Sequence, residues 1–549
     1  MRQLIIDRIP EDFDPVRHVP LGPWCFYGAE RVYPDWDMLA FVDPFSVVEQ
    51  RCAADAATRG LANEMLDRMW EDMNARHGTD HSRAFWHVVL ASWLLELVQV
   101  SWRLYAHIGC LVERLDGEPL DVPLVEATGR FRFADSLNFT EACRSAGPFR
   151  SWLISEVIRC VAPPQWAIRT TAHISPPAPP AVAVAERRYL AVDRVYGLAR
   201  WRWLFSAFVS VWPKQAARPP APAPGVPAGL FPEVFLDFVR RLADATIPET
   251  ATTAFGALHA DAEHRSYRAS RLRVTTPNPY DDQENVMLGC AIDAGERLVA
   301  SQHGGTYGWG DGLSINAETD YGNDAFITWG WTEQQDYAGR FVRLPSPLMS
   351  RNLGRHRPAG TDIVFVGHAM RHFNPRIDFT PCPLRYRRQK RRFVDHLDTN
   401  VVDRLRYRPY NTGDTIDDDA WMRRIYPRLR IVEGVLEPAM FASRLVVADH
   451  PGTMMAVALA ANIPLIAFWD RDAWPLARQA KPLFAALEEA EILFHDPARA
   501  AAQVNAIWPQ VEEWWRDPLR QKARASWCER FAWAERTWVL YWFRGLARL

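Results

Sequence analysis

The chain has 549 residues, 48% of them apolar and 24% charged, which excludes a disordered or collagen-like polymer and exceeds what one hydrophobic core organises. Its 64 basic and 66 acidic residues leave a formal net charge of −2, so it lacks the basic excess of a dedicated nucleic-acid binder. Eight cysteines without a C-x-x-C pair spell neither a zinc knuckle nor a disulfide scaffold, and they suit a reducing, cytoplasmic compartment.

The chain opens with a strand signal, Gln3 to Ile6, in a start whose apolar run is too short and too soon acidic for a secretory signal. A turn-rich LGPWC follows at Leu21 to Cys25. From Val47 to about Arg114 the pattern is helical. Leu61, Met65, Met69 and Met73, then Trp86, Leu90, Trp93, Leu94 and Leu97, recur at helical spacing and mark a core-facing stripe. The most apolar stretch, Phe85 to Ile108, is interrupted by His87, Glu96, Gln99 and Arg103. Moving such groups into hydrocarbon is costly, so this reads as a buried helix and not a membrane span. Another helix is expected over Phe149 to Val161.

Two proline-rich stretches, Pro176 to Val184 and Arg218 to Pro227, read as extended connectors, because proline lacks a backbone donor and disfavours helix at the residue before it. Between them, the Trp- and Phe-rich segment Tyr189 to Trp212 is expected to pack. A helix with proline in its first turn follows from Pro232 to Ala243. After about residue 270 short apolar runs alternate with helical stretches: Leu272 to Thr275, Leu298 to Ala300, Ala325 to Thr328, Asp362 to Val366, Leu429 to Val432, Leu445 to Ala448 and Leu465 to Phe468. Such a rhythm describes an α/β fold with parallel sheet covered on both faces. The tail, Trp508 to Leu549, reads as long helix.

Three segments carry residues suited to chemistry. The first, Ser301 to Trp331, follows the strand signal that ends at Ala300. Gly304, Gly305 and Gly308 permit close backbone approach to an anion, His303 can donate to a phosphate or act as acid or base, and Glu318, Asp320 and Asp324 are carboxylates on the same excursion. No P-loop pattern is present. In the second, Arg444 to Asp470, Gly452 and Thr453 open a helix whose free amides form an anion cradle. In the third, RLRYRPYNTGDT, a strand would place Arg404, Arg406 and Arg408 on one face. The basic run Arg385 to Arg392 reads as a solvated patch.

The stretch QHGGTYG followed by ITWGW resembles the LIC12162 family of transferases, found among surface-polysaccharide biosynthesis proteins. LGPWC, the segment Asn74 to Leu94, RYRPYNTGD, Arg444 to Pro464 and the closing EEWW at Glu512 to Trp515 carry the same resemblance. More distantly, the C-terminal half is similar to GT-B glycosyltransferases, including capsule-type Kdo transferases and glycerophosphotransferases of teichoic acid synthesis. The resemblance implies two Rossmann-like domains facing across a cleft. Residues 1–270 would form the acceptor side, with a helical insertion and connectors at 176–184 and 218–227. Residues 271–510 would bind the nucleotide sugar, and helices in 511–549 would pack back on the N-terminal domain. By the same resemblance, His303, Gly304 and Gly305 lie at the cleft, Arg408 near the donor's charged group, and Gly452 and Thr453 at its phosphate. His303, Glu318 and Asp324 are the candidate catalytic groups. Where the family carries a helix glutamate, often a ribose ligand, this chain has Val457.

The expected activity is therefore a metal-independent glycosyl transfer, with no cofactor. A nucleotide-activated sugar, a CMP-linked acidic sugar such as Kdo among the candidates, would pass its glycosyl group to a surface polysaccharide or lipid-linked glycan. Polyol-phosphate transfer, sugar-nucleotide epimerisation and non-catalytic carbohydrate binding or assembly stay open as alternatives on the same fold. Nucleic acid is not an expected partner, and peripheral association with the inner face of the membrane through an amphipathic surface stays open.

Overall fold

The computed structural model describes the whole chain except residues 186–189, 199–200, 211–229, 267–270, 277, 335–336, 359, 378–382 and 411–414. The second proline-rich connector and the end of RYRPYNTGD lie outside the described residues. The first connector, 176–184, carries neither helix nor strand.

The fold is mixed α/β, consistent with two Rossmann-like domains, and all strand pairs in its three sheets run parallel. The first sheet joins β1 (Arg2–Ile5), β2 (His18–Pro20), β3 (Leu120–Ala127) and β4 (Ala167–Ile174) in the order β2-β1-β3-β4. The second joins β5 (Leu272–Thr275), β6 (Arg297–Ser301), β7 (Ala325–Thr328) and β8 (Phe341–Arg343) in chain order. The third holds β9 (Ile363–Val366), β10 (Leu405–Arg408), β11 (Arg430–Ile431), β12 (Leu445–Ala448), β13 (Leu465–Phe468) and β14 (Leu493–Phe494) in the order β11-β10-β9-β12-β13-β14. Renumbered within that sheet the order is 3-2-1-4-5-6, the dinucleotide-fold arrangement, whose ligand crevice opens where the strand order reverses. The interval 271–510 thus holds strands of two sheets, and only the later one has this order.

The helical stretch expected over Val47 to Arg114 is two helices, α1 (Val48–His77) and α2 (Arg83–Leu115). Gly78, with φ +64°, ends the first in a left-handed turn, and the Ser82 side chain caps the second by accepting from the Phe85 amide. Helix α2 is long and apolar enough to cross a membrane, yet 83% of its most apolar window is buried inside the protein. Trp86, Trp93, Leu94 and Leu97 are fully enclosed there.

The tail is not one long helix. It breaks at Asp517, before Pro518, and again over 532–537, giving helices Val511–Arg516, Pro518–Phe531 and Trp538–Arg548. The last returns to the second sheet, where Trp542 and Leu546 pack with Phe205, Leu272, Val299 and Ile327. Arg271 and Arg297 donate to its final carbonyls, at Leu546 and Leu549, satisfying acceptors a helix end leaves open.

Candidate active site

Val366 and Ala448 are paired at the ends of β9 and β12, so Gly367 and Asp449 leave the third sheet side by side. A cleft of about 890 Å³ opens above them, a volume suited to a nucleotide-sized ligand. Its opposite wall is the loop after β6, from His303 to Tyr307, with Tyr280 and Asn316. The two walls touch at their base. The Gly305 amide donates to Thr453 Oγ1 at 2.9 Å, and a Cβ on Gly305 would stand 2.8 Å from both Gly452 C and Thr453 N. The glycine at 305 is required by this approach, and the hydroxyl of Thr453 is engaged by the opposing loop.

His303 is open to solvent along the cleft but hemmed in by its walls, and this loss of hydration pushes its pKa down to about 4. Its Nδ1 lies 3.1 Å from Tyr307 Oη. That hydroxyl donates to Asp320 Oδ2 at 2.7 Å and accepts from Asn316 Nδ2 at 2.8 Å. With its one proton given to Asp320, the phenol can only accept from His303; its Oη is also 3.4 Å from Nε2, and we assign the imidazole proton to the nearer Nδ1, which leaves the Nε2 lone pair to the cleft. Asp320 is buried, and burial raises its carboxyl to about 7 against the hydrogen bonds from Tyr307 and Asn316. Its Oδ1 has no hydrogen-bond partner. A neutral imidazole backed by a phenol and a buried acid is an arrangement fit to take a proton from a hydroxyl.

The other wall presents a second histidine. His450 Nδ1 is 2.9 Å from Asp449 Oδ1, and its ring centroid is 4.8 Å from that of His368. Asp449 in turn lies 3.7 Å from Nζ of the fully buried Lys390, which also pairs with Asp418 and donates to Tyr407 Oη at 2.6 Å. Gly452 gives this ring its room, since a Cβ there would sit 2.6 Å from His450 Nε2. The helix Thr453–Ala460 begins immediately beyond.

Arginines outnumber acids in the cleft lining. Arg144, Arg371, Arg376 and Arg408 line it with one carboxylate, Glu437, among the described residues, and Arg144 is held from behind by the buried Glu96 at 3.3 Å. Arg408 ends β10, with its guanidinium 3.2 Å from the Pro409 carbonyl. Its sequence neighbours are placed otherwise: Arg406 pairs with Asp362 at 3.1 Å, and Arg404 precedes the strand. Among the described residues no group of three His, Cys, Asp or Glu side chains stands close enough to share a metal ion.

His303, Gly304, Gly305, Arg408, Gly452 and Thr453 therefore meet in one cleft. Glu318 and Asp324 do not join them. Glu318 is buried against α1 and α2, ion-paired with Arg59 and 2.8 Å from His87 Nε2. Burial alone would raise its pKa, but these partners hold it near 2. Asp324 precedes β7 at the end away from the cleft and accepts from the Leu298 amide at 2.8 Å. Val457 is enclosed in the core and does not line this cleft. The run 385–392 is only partly solvated, since Arg387 and Lys390 are buried. Tyr307 was not among the site residues expected from the sequence, and Asp320 was only one acid of three. Asp449 and His450 were not expected either, although DHPGT sets them just before the chosen glycine.

A family model described as LIC12162 family transferase matches residues 2–184 and 229–546, most of the chain. No curated protein matches it.

Proposed function

The chain belongs to the LIC12162 family of transferases, and from that premise we propose that it moves a sugar from a nucleotide-activated donor to a surface-polysaccharide or lipid-linked glycan hydroxyl. The observation that carries the reading is the arginine-rich cleft at the strand-order reversal of the third sheet, with a neutral histidine facing it.

The donor's phosphates lie between Arg408 and the amides that open the helix Thr453–Ala460, where guanidinium and helix dipole favour negative charge. His450, oriented by Asp449, stands beside the same oxygens. Glu437, the cleft's carboxylate, accepts the ribose hydroxyls in place of the family's helix glutamate. In the reaction the acceptor oxygen bonds the anomeric carbon, the carbon–oxygen bond to phosphate breaks, and the nucleotide leaves with the electron pair. The acceptor's proton passes to His303 Nε2. Charge developing on the leaving phosphate is met by groups already in place, so no metal ion is needed for that step. The donor's own negative charge raises the basicity of His303, coupling deprotonation to donor occupancy.

Soaking a donor into crystals tests this directly. Phosphate density between Arg408 and Thr453 is expected; a donor bound outside the cleft overturns the reading.

A further inference from the structure

A second chamber of about 520 Å³ opens beside the cleft. Arg371 lines both, so the two adjoin at this residue. One wall comes from the N-terminal loops and α2, the other from residues 371–374 and the helix Pro383–Asp395.

LGPWC builds the first wall. The Leu21 carbonyl is 2.6 Å from His107 Nε2, and Trp24 folds back so closely that a Cβ on Gly22 would lie 2.1 Å from its ring. The indole meets Phe373 edge-on, with centroids 5.2 Å apart, which joins the N-terminal wall to the C-terminal one. Phe41 and Phe45 complete an aromatic surface. Over it stand cations. The Arg103 guanidinium sits 5.3 Å above the Phe45 ring and donates to the Arg376 carbonyl at 3.0 Å. Arg51 donates to the carbonyls of Phe45 and Asp472, and Arg388 is exposed at the rim. Arg385 is balanced by Asp470 and Asp472. Five arginines, at 51, 103, 371, 385 and 388, line the chamber with two aspartates, at 43 and 472, and Asp470 adds a third carboxylate behind Arg385.

Aromatic faces stack on the C–H faces of sugar rings, and guanidinium forks pair with carboxylate or phosphate. A lipid chain would be poorly served here, because the exposed Arg388 would lose hydration without gaining a partner. We infer that this chamber binds an acidic oligosaccharide, the acceptor's anionic end, and presents its next hydroxyl to His303 past Arg371. The inference rests on the reading of the cleft as the donor site.

The test uses the full chain and calorimetric titration with trigalacturonate, an α2,8-linked disialic acid, neutral maltotriose and farnesyl phosphate. At least one acidic glycan should bind about tenfold more tightly than maltotriose, the scale of one charge-assisted contact. Arg388→Glu, at the exposed rim, and Phe41→Ala, half-buried, should each weaken that glycan about tenfold while binding of the donor's nucleotide is unchanged. Three results overturn the inference: neither acidic glycan binds, both variants bind like wild type, or farnesyl phosphate outcompetes every glycan. Glycan binding without donor cleavage would instead sink the transferase reading, and donor cleavage without glycan binding would sink this inference alone.

Discussion

The Gly305 amide donates to Thr453 Oγ1 at 2.9 Å, closing the base of the cleft between residues 148 positions apart. Each belongs to a glycine turn that, taken separately, looks like an anion cradle. Together they show that part of this hydrogen-bonding capacity holds the two walls to each other. Thr453→Val keeps the shape and removes the acceptor, leaving a buried N–H unpaired, so a loss of about 1–3 kcal/mol is expected in denaturant unfolding. Gly305→Ala should cost a similar amount by forcing backbone against backbone. Unchanged unfolding midpoints in both variants would contradict the contact.

His303→Ala should abolish transfer with little change in melting temperature, because the ring faces the cleft and packs little of the core. Donor affinity should persist. Turnover within about threefold of wild type would remove His303 from the proton-transfer step, whose usual worth is about a hundredfold or more.

Asp320 gives a pH signature. Its folded carboxyl titrates near 7, well above the unfolded value of about 4, so the folded state holds the extra proton between those values. Stability should therefore fall as pH rises from about 4 to about 7, and Asp320→Asn should melt higher than wild type at pH 8 and alike at acid pH. The ionised acid is also the form that accepts Tyr307's proton. Wild-type turnover should decline as pH drops through about 7, and the variant should lose that limb. An unaltered profile in Asp320→Asn would show the relay to be idle.

Glu318 should matter to folding and not to chemistry. Removing its charge leaves Arg59 buried without its partner, so Glu318→Gln is expected to lose about 3–5 kcal/mol. Its folded pKa, about 2, lies below the unfolded value of about 4.3, so this stabilisation is present above the latter and vanishes as pH falls through about 2. Acid titration of unfolding checks the sign. A variant as stable as wild type at neutral pH but catalytically dead would reverse the assignment.

Arg408→Ala should weaken donor binding by about 2 kcal/mol, the scale of a lost charge-assisted hydrogen bond, with unfolding unaffected. Titration with the donor decides it, and equal affinity rejects the contact.

Much of the sheet framework was legible because β5, β6, β7, β9, β12 and β13 are buried on both faces and therefore written as short, mostly apolar runs. Strand β4, AIRTTAHI, was invisible for the opposite reason: nearly all its side chains are exposed, so no apolar pattern marks it. The glycine turns were readable because close backbone approach demands glycine. The acid that faces Tyr307 was not. Glu318, Asp320 and Asp324 share one excursion, and only the π-helical turn Ala317–Tyr321 decides that Asp320 faces Tyr307 while Glu318 turns to α1 and α2. Asp449 and His450 escaped because adjacent residues carry no periodicity to show that their side chains pair.

As proposed, this cleft cleaves a nucleotide-activated sugar with His303 as base. Incubating wild type and His303→Ala with CMP-, UDP-, GDP- and CDP-sugars, and measuring released nucleotide, tests it most directly. Release from one donor class by wild type, absent in the variant although the donor still binds, is the predicted result. Silence toward every donor, or equal release by both proteins, would contradict it.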